Sequence, residues 1–388
     1  MSRLCEESLC TGCGACITSC PKQCISYVIG ELGHKYPIIN ITDCIECGAC
    51  SKICPVLHPD DLIKPTHAYA AWSKNEDLYK SSTSGAISAE LSSFVIERGG
   101  VVYGCAYCEE VTVRHIRIDN SRDLHRIQGS KYAQSDIVEA IPQIKEDLKR
   151  GFKVLFLGTP CQVAAIRRTI KGNMANNLFL VDILCYGVPS NKLLKDYLAD
   201  ERHLDLHEIT NVTFRDEEQY VLKVYNNDKI VLEASSRWAK DNSDNDLYLN
   251  MFTYRHGFRS SCFNCRYHSK ERISDLTIGD FWGLNKTEFK KDIPEHHHGV
   301  SLVLANNSKG QQLIDEIRSR LNLYERPLDE AYTANGAFDS NKEVNIYNKL
   351  FRLLYPELGS RLAYDACVEI YEKIKEVKNE NSSININT

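Results

Sequence analysis

The feature that most limits what this chain can become is a cysteine pattern written twice near its N-terminus. The first copy is Cys10, Cys13, Cys16 and Cys20-Pro21, and the second is Cys44, Cys47, Cys50 and Cys54-Pro55. Both read C-x2-C-x2-C-x3-C-P, and even the fillers repeat, Gly14-Ala15 against Gly48-Ala49. Such self-similarity marks an internal duplication. Three closely spaced thiolates on a tight, glycine-bearing loop can reach three irons of one cube. The fourth cysteine, held before a proline, ligates the other cluster. The pattern therefore assigns Cys10, Cys13, Cys16 and Cys54 to one 4Fe–4S cluster, and Cys44, Cys47, Cys50 and Cys20 to a second. Zinc is the competing use of such thiols. It commonly takes its four ligands from two C-x2-C pairs and has no use for a third cysteine followed by Cys-Pro. Cys5 and Cys24 fall outside the pattern and are expected as small buried residues.

Composition narrows the setting. The chain has 388 residues, 17 of them cysteine, with 43% hydrophobic residues and a formal net charge of −5. That apolar content can build a core, which excludes a disordered chain. The length excludes a short secreted disulfide scaffold. The start, Met1-Ser-Arg-Leu-Cys5, shows no apolar signal segment, so a reducing, cytoplasmic setting is expected, where thiols serve as metal ligands or redox groups. No apolar run is long enough to span a bilayer. The mild acidity gives no footprint for nucleic acid.

Beyond a linker at 61–66, the pattern alternates strands and helices. Ile87, Leu91, Phe94 and Val95 share one helical face within 85–97, and Arg98-Gly99-Gly100 ends that helix. Strands are expected at 101–104, 111–118, 154–157, 178–184, 276–278 and 301–304, with helices at 137–150, 161–169, 193–198 and 312–321. Residues 205–260 are polar and mixed, and short strands are expected there. The alternation predicts an α/β fold with a parallel portion.

A third cysteine group follows from that alternation. Cys161 comes directly after one buried strand, through Gly158-Thr159-Pro160, and Cys185 directly after the next. Neighbouring parallel strands would put both at the carboxyl edge of the sheet, where ligands bind in open α/β folds. Cys161 also opens a helix, whose dipole is expected to favour its thiolate. Cys262 and Cys265 form a C-x2-C in a loop; if that loop folds over the edge, four thiolates meet and a third cluster or a zinc fits. The plainer alternative is two strand-end cysteines and a separate surface zinc hairpin. Cys105 and Cys108 form another C-x2-C, read as packing residues. Ser82, Thr83, Ser84 and Gly85 precede a helix, where hydroxyls and free N–H groups either cap it or hold a phosphate. Gly129, Ser130, Lys131 and Tyr132 place a cation and an aromatic ring beside a glycine turn. Asp280 ends a strand, with Phe281 and Trp282 behind it. His296, His297 and His298 read as local surface histidines. There is no G-x-G-x-x-G after a strand and no P-loop, so nicotinamide binding of the Rossmann type and nucleotide hydrolysis are unsupported.

Several stretches taken together are familiar: Ser82-Thr-Ser-Gly85, Gly99-Gly-Val-Val-Tyr-Gly104, Gln128-Gly-Ser-Lys-Tyr-Ala-Gln-Ser135, Gly158-Thr-Pro-Cys-Gln162, Asp182-Ile-Leu-Cys185-Tyr-Gly-Val-Pro-Ser190, Arg259 with Cys262 and Cys265, and Asp275 through Gly283. In that order they resemble the coenzyme F420 hydrogenase/dehydrogenase beta-subunit family, in its bacterial form with a fused ferredoxin domain. The resemblance implies an iron–sulfur flavoprotein oxidoreductase. It implies FAD as cofactor, and coenzyme F420 or another small molecule as substrate. It implies a third 4Fe–4S cluster on Cys161, Cys185, Cys262 and Cys265, and a flavin pocket at 82–85 and 129–132. One departure is Ala86, where the family often has a second glycine. The expected architecture is α+β or α/β: a two-cluster ferredoxin domain at 1–62, a mixed α/β flavin-binding region at 63–372 (an N-terminal part near 68–150 and a C-terminal part at 151–350), and a polar, disordered tail at 373–388. Expected partners are an electron-donor protein, such as ferredoxin or a partner subunit, and a small-molecule substrate, with no nucleic acid and no membrane span. A non-catalytic electron-carrier subunit, docking to a separate oxidoreductase, is the alternative function.

Overall fold

The computed structural model describes residues 2–215, 219–235, 246–284, 293–294, 296–338, 344 and 346–384. At the N-terminus, β1 (Ser2–Arg3), β2 (Ile25–Ile29) and β3 (Lys35–Ile39) form a small antiparallel sheet in the order β1-β3-β2. The duplicated Gly-Ala pairs open two short helices, Ala15–Thr18 and Ala49–Ile53. Gly14 (φ 71) and Gly48 (φ 70) precede them in left-handed backbone, which glycine alone adopts without steric cost. Each cysteine loop is thereby turned back on itself.

The larger region contributes β4 (His67–Ser73), β5 (Val101–Cys108), β6 (Thr112–Ile118), β7 (Val154–Gly158) and β8 (Leu178–Ile183). A separate three-stranded antiparallel sheet follows, β9 (Asn211–Thr213), β10 (Val221–Asn226) and β11 (Lys229–Ser235). Then come β12 (Leu276–Asp280), β13 (Ser301–Ala305) and β14 (Leu321–Arg326). The main sheet has eight strands in the order β14-β4-β13-β12-β8-β7-β5-β6. Strands β5, β7, β8 and β12 run parallel; on one side β6 pairs antiparallel to β5, and on the other β13 pairs antiparallel to β12, β4 to β13 and β14 to β4. The fold is thus mixed α/β with a ferredoxin-like N-terminal unit.

Strand residues alternate between two apolar layers, as the period of two requires. Val101, Tyr103, Val154 and Phe156 pack under the helices Ala140–Lys149 and Pro160–Thr169. Val102, Leu155 and Val181 point the other way, against the helices Ile87–Glu97 and Ser308–Ile317. Ala15 of the ferredoxin-like unit is fully buried in the first of these layers. A Cβ on Gly14 would come within 2.2 Å of Val138. The N-terminal unit is therefore seated directly on the larger region.

Some elements differ from expectation. The stretch read as a linker is anchored: Ile63 bridges Arg272, and Thr66 donates to the Ala305 carbonyl at 2.8 Å. It leads straight into β4, an Ala-rich strand with no strand signature of its own. The helix expected at 312–321 starts earlier, at Ser308, where the Asn307 side chain accepts from Gly310 N, and it gives way to β14. Backbone helix also runs to Ile384, through residues expected as a disordered tail, past an i,i+4 pair of Lys373 and Glu369 at 2.6 Å. Residues 385–388 lie outside the described residues.

The connection before β12 carries Cys262 and Cys265, and one buried ion pair holds it to the sheet. Arg272 Nη2 donates to Asp182 Oδ2 of β8 at 3.0 Å, with side chains 1% and 0% exposed. The other guanidinium nitrogens bind the carbonyls of Tyr267 and Ser269 and the Thr277 hydroxyl, all at 3.1 Å. Removing one partner of such a pair strands a buried charge. Arg272→Met is expected to cost about 3–5 kcal/mol, seen as a lower urea midpoint. Asp182→Leu combined with Arg272→Met should recover much of that loss, because no bare charge remains.

Candidate redox site

The N-terminal cysteines gather in the crossed arrangement. Cys54 lies close enough to Cys10, Cys13 and Cys16 for their charges to interact, and Cys20 stands likewise near Cys44 and Cys50. Two bystanders prove to be neighbours. Cys5 hydrogen-bonds to both Cys10 and Cys54. As donor it holds each of those thiols down to about 6. Cys24 Sγ is 3.4 Å from Cys20 Sγ. Their positions five before one pattern cysteine and four after another gave no spacing signal.

The second group assembles at the carboxyl edge of the main sheet. β7 and β8 are adjacent and parallel, so Cys161 and Cys185 emerge side by side. The Cys262–Cys265 loop closes over them, and Cys185 feels Cys262, Cys161 and Cys265 alike. His268 Nε2 meets the Cys185 carbonyl at 3.0 Å. Burial pushes all four thiols up, Cys262 to about 12 and Cys265 to about 11. The expected lowering of Cys161 by its helix dipole is overturned: desolvation outweighs it, although Thr159 Oγ1 sits 3.3 Å from the sulfur. Among the described residues, no three His, Cys, Asp or Glu side chains close to the spacing of a single metal ion. Tyr267 stands between the two groups, feeling Cys161, Cys13 and Cys265.

The sheet-edge cysteines, and Thr11 and Pro55 beside Cys10 and Cys54, border one cavity of about 1210 Å³. Single-ligand pockets usually span roughly 300–1,000 Å³, and this one is larger. Its walls include Ser82–Ser84, Gln128–Ser135, the four sheet-edge cysteines, Asp280, and Thr11 and Pro55 of the ferredoxin-like unit. Ser82, Thr83 and Ser84 do not cap the following helix. That helix starts from Ala86, itself left-handed at φ 64, with no side-chain cap. Ser84 Oγ instead accepts from Ser301 Oγ at 3.2 Å, and the Ser82 carbonyl faces His298 Nε2 at 2.6 Å. His298 is thus a buried brace and not the surface residue expected. Gly85 does not line the cavity; a Cβ there would sit 2.1 Å from the Ala71 carbonyl of β4.

Lys131 Nζ reaches the carbonyls of Gln128, Gly129 and Arg126. No carboxylate among the described residues pairs with it, and desolvation lowers it to about 8. Tyr132 lines the cavity with its ring stacked between Phe214 (4.8 Å) and Phe252 (4.2 Å). Asp280 sits in another part of the wall, paired with Arg215 at 3.0 Å, whose guanidinium lies over Tyr220 and Trp282. Behind the wall runs a network the sequence did not announce. Gln162 Nε2 donates to Ser135 Oγ at 2.9 Å, Ser135 Oγ pairs with His115 Nδ1 at 2.9 Å, and His115 Nε2 meets the Leu157 carbonyl at 2.8 Å. Burial lowers His115 to about 4, so it is neutral at pH 7. Cys105, expected as a packing residue, opens onto the cavity near Lys131 and Ser135.

The fold and these thiol groups define an iron–sulfur electron-transfer protein: a ferredoxin-type unit on a mixed α/β domain with an open cavity. Residues 9–57 match a 4Fe-4S dicluster domain. Residues 151–331 match the family model described as the C terminus of the coenzyme F420 hydrogenase/dehydrogenase beta subunit. No curated protein matches the chain. Among solved structures, it is similar to a chain of the xenon-derivatised F420-reducing NiFe hydrogenase complex from Methanosarcina barkeri, at 16% identity and TM-score 0.49, over 80% of this chain and 93% of that one. Among the described residues, no helix is long and apolar enough to cross a membrane.

The glycines separate packing from lining. Gly85→Ala must displace backbone and is expected to abolish soluble expression. Gly129→Ala meets nothing within 4 Å and carries only its left-handed backbone (φ +77), so it should fold at a cost of about 1–2 kcal/mol, as thermal denaturation will show.

Proposed function

We propose that this chain is an iron–sulfur flavoprotein oxidoreductase. It takes electrons from a donor protein at its ferredoxin-type end and delivers them to a reducible small molecule in the cavity. One observation carries the reading: the sheet-edge thiols and the ferredoxin loop at Thr11 and Pro55 are walls of the same cavity as the Ser82 and Lys131 loops.

The residues suit the groups. Cys10, Cys13, Cys16 and Cys54 would hold one 4Fe–4S cluster, and Cys44, Cys47, Cys50 and Cys20 a second. Cys161, Cys185, Cys262 and Cys265 would hold a third; four thiols suit a cluster or a zinc, and their spacing, which closes on no single metal ion, favours the cluster. FAD fits the cavity by volume and by its unpaired cation, Lys131. Ser82–Ser84, Gly129, Ser130 and Lys131 would hold it, and Asp280 with Arg215 would bound the remaining space. A bound flavin accepts single electrons and returns them in pairs, as hydride chemistry needs. The chain's own contribution is placement. Lys131 Nζ, pinned by three carbonyls, keeps its proton at pH 7 and sets a positive charge against the ligand. His115, fixed as a neutral ring, keeps the Ser135–Gln162 wall in register. Exposed Cys47, with Ile41 and Ile45 also exposed on its loop, offers a donor an approach to the second cluster. The family match over residues 151–331 makes coenzyme F420 one candidate for the substrate.

Anaerobic reconstitution tests this. About twelve irons and one FAD per chain are expected, and Cys161→Ser should drop iron to about eight. About eight irons and no flavin in the unsubstituted chain would favour the electron-carrier alternative. Lys131 adds a pH signature. Its charge is present below about 8 and lost above it. Affinity for reduced, anionic flavin should therefore weaken as pH rises through that value. Lys131→Met should bind reduced flavin more weakly at pH 7 and show no such fall, as flavin fluorescence titrations will report.

A further inference from the structure

Arg259 is one of the largest fully enclosed side chains in the molecule, 1% exposed. Its backbone belongs to the turn that carries Cys262, whose N–H donates to the Arg259 carbonyl at 2.9 Å. Its side chain leaves that turn and enters the ferredoxin-like unit. Nε donates to the Cys10 carbonyl at 2.7 Å, and Nη2 to the Lys35 carbonyl at 2.8 Å. Nη2 also stands 3.7 Å from Cys10 Sγ, and Nη1 donates to Gln134 Oε1 at 3.1 Å. The guanidinium lies over the Tyr36 ring at 4.2 Å and against Gly12, where a Cβ would sit 2.7 Å from Cζ.

Every one of those partners is neutral except the sulfur. Among the described residues, Arg259 makes no ion pair with a carboxylate. A buried cation without a counter-charge costs several kcal/mol, and a permanently protonated guanidinium cannot escape by titrating. Of the acidic groups its charge acts on, burial keeps the phenols of Tyr27 and Tyr36 neutral, which leaves the thiolates. Its charge acts on Cys10 on one side and on Cys161 and Cys262 on the other. We infer that Arg259 is a shared counter-cation and positioning residue, set between the first ferredoxin-type cluster and the sheet-edge cluster, which favours the reduced state of both. The inference rests on the cluster assignments proposed above. Its geometry explains the fork: two donors fix the Cys10 loop, one reaches Gln134 on the cavity wall, and the charge stays between the two thiol groups. The second ferredoxin-type site, around Cys44, lies outside its contacts and serves as an internal reference.

The test is an anaerobic redox titration followed by electron paramagnetic resonance, with iron counted in the same samples. The iron count of the unsubstituted protein checks the cluster assignments separately. With about eight irons the sheet-edge assignment fails, and only one of the two remaining sites should respond to Arg259. In Arg259→Gln, reduction of the two adjacent sites should become about tenfold less favourable, about 59 mV for one electron, while the Cys44 site stays put. Arg259→Lys keeps the charge and should return the values toward those of the unsubstituted protein. If Arg259→Gln loads poorly, Arg259→Lys should restore the iron. Unchanged potentials in a fully loaded Arg259→Gln protein overturn the inference. So does a uniform shift of every site, or equal loss of iron in both variants, which would make Arg259 a packing residue only.

Discussion

The site depends on a pair of charges that water never sees. Asp182 lies on β8, just ahead of Cys185, and Arg272 lies at the end of the loop that carries Cys262 and Cys265. Burial pushes the Asp182 carboxyl up, and the Arg272 charge works against that push. The pair is a poor source of stability in itself, because desolvating two ions consumes most of what their attraction returns. Its value lies in selection. A loop of polar residues could lie many ways over a sheet edge, but only one of them leaves neither charge bare. That arrangement brings a C-x2-C nearly eighty residues away onto the two strand-end cysteines.

Much of this was legible in the sequence where local chemistry has a fixed period. The doubled cysteine pattern carries its own pairing, because the Cys-Pro geometry sends the fourth thiol to the other loop. The buried strands before Cys161 and Cys185 were readable as apolar runs, and their parallel pairing followed from the helix between them. What stayed hidden is what only tertiary contact decides. His67–Ser73, just past the 61–66 stretch read as a linker, carried no strand reading, and it is a strand because β13 and β14 flank it on both sides. The thiol of Cys161 goes up and not down, because a helix dipole is a short-range effect and desolvation at a closed sheet edge is larger. Cys5 and His298 were read by spacing and exposure, yet each is fixed by partners remote in sequence or outside the repeat.

The cavity shows the same division. Ser82–Ser84 and Gly129–Lys131 were found as polar loops beside turns, and the structure sets both on one wall. Gly85 lies in the same motif as Ser82–Ser84 but faces away to let β4 approach, whereas Tyr132 lines the cavity with its ring stacked between Phe214 and Phe252. A motif marks a segment; backbone direction decides which of its atoms meet a ligand. Ala86 is the clearest case. It holds left-handed backbone that suits glycine, and its methyl group is buried against Leu124 and Ala89. The chain carries local strain there in return for a filled corner beside the cavity.

The seat of the ferredoxin-like unit has a kinetic consequence. Ala15 is buried in the main core, and Gly14 leaves no room for so much as a methyl group against Val138. A free ferredoxin must diffuse, collide and reorient before each delivery. Here that search has been abolished on the inner side, since the spacing between the first thiol group and the cavity is set once, when the chain folds. On the proposed reading, the encounter that remains is at the outer rim, where a donor would meet the Cys47 face. Covalent fusion with such tight seating turns a second-order step into a constant of the architecture.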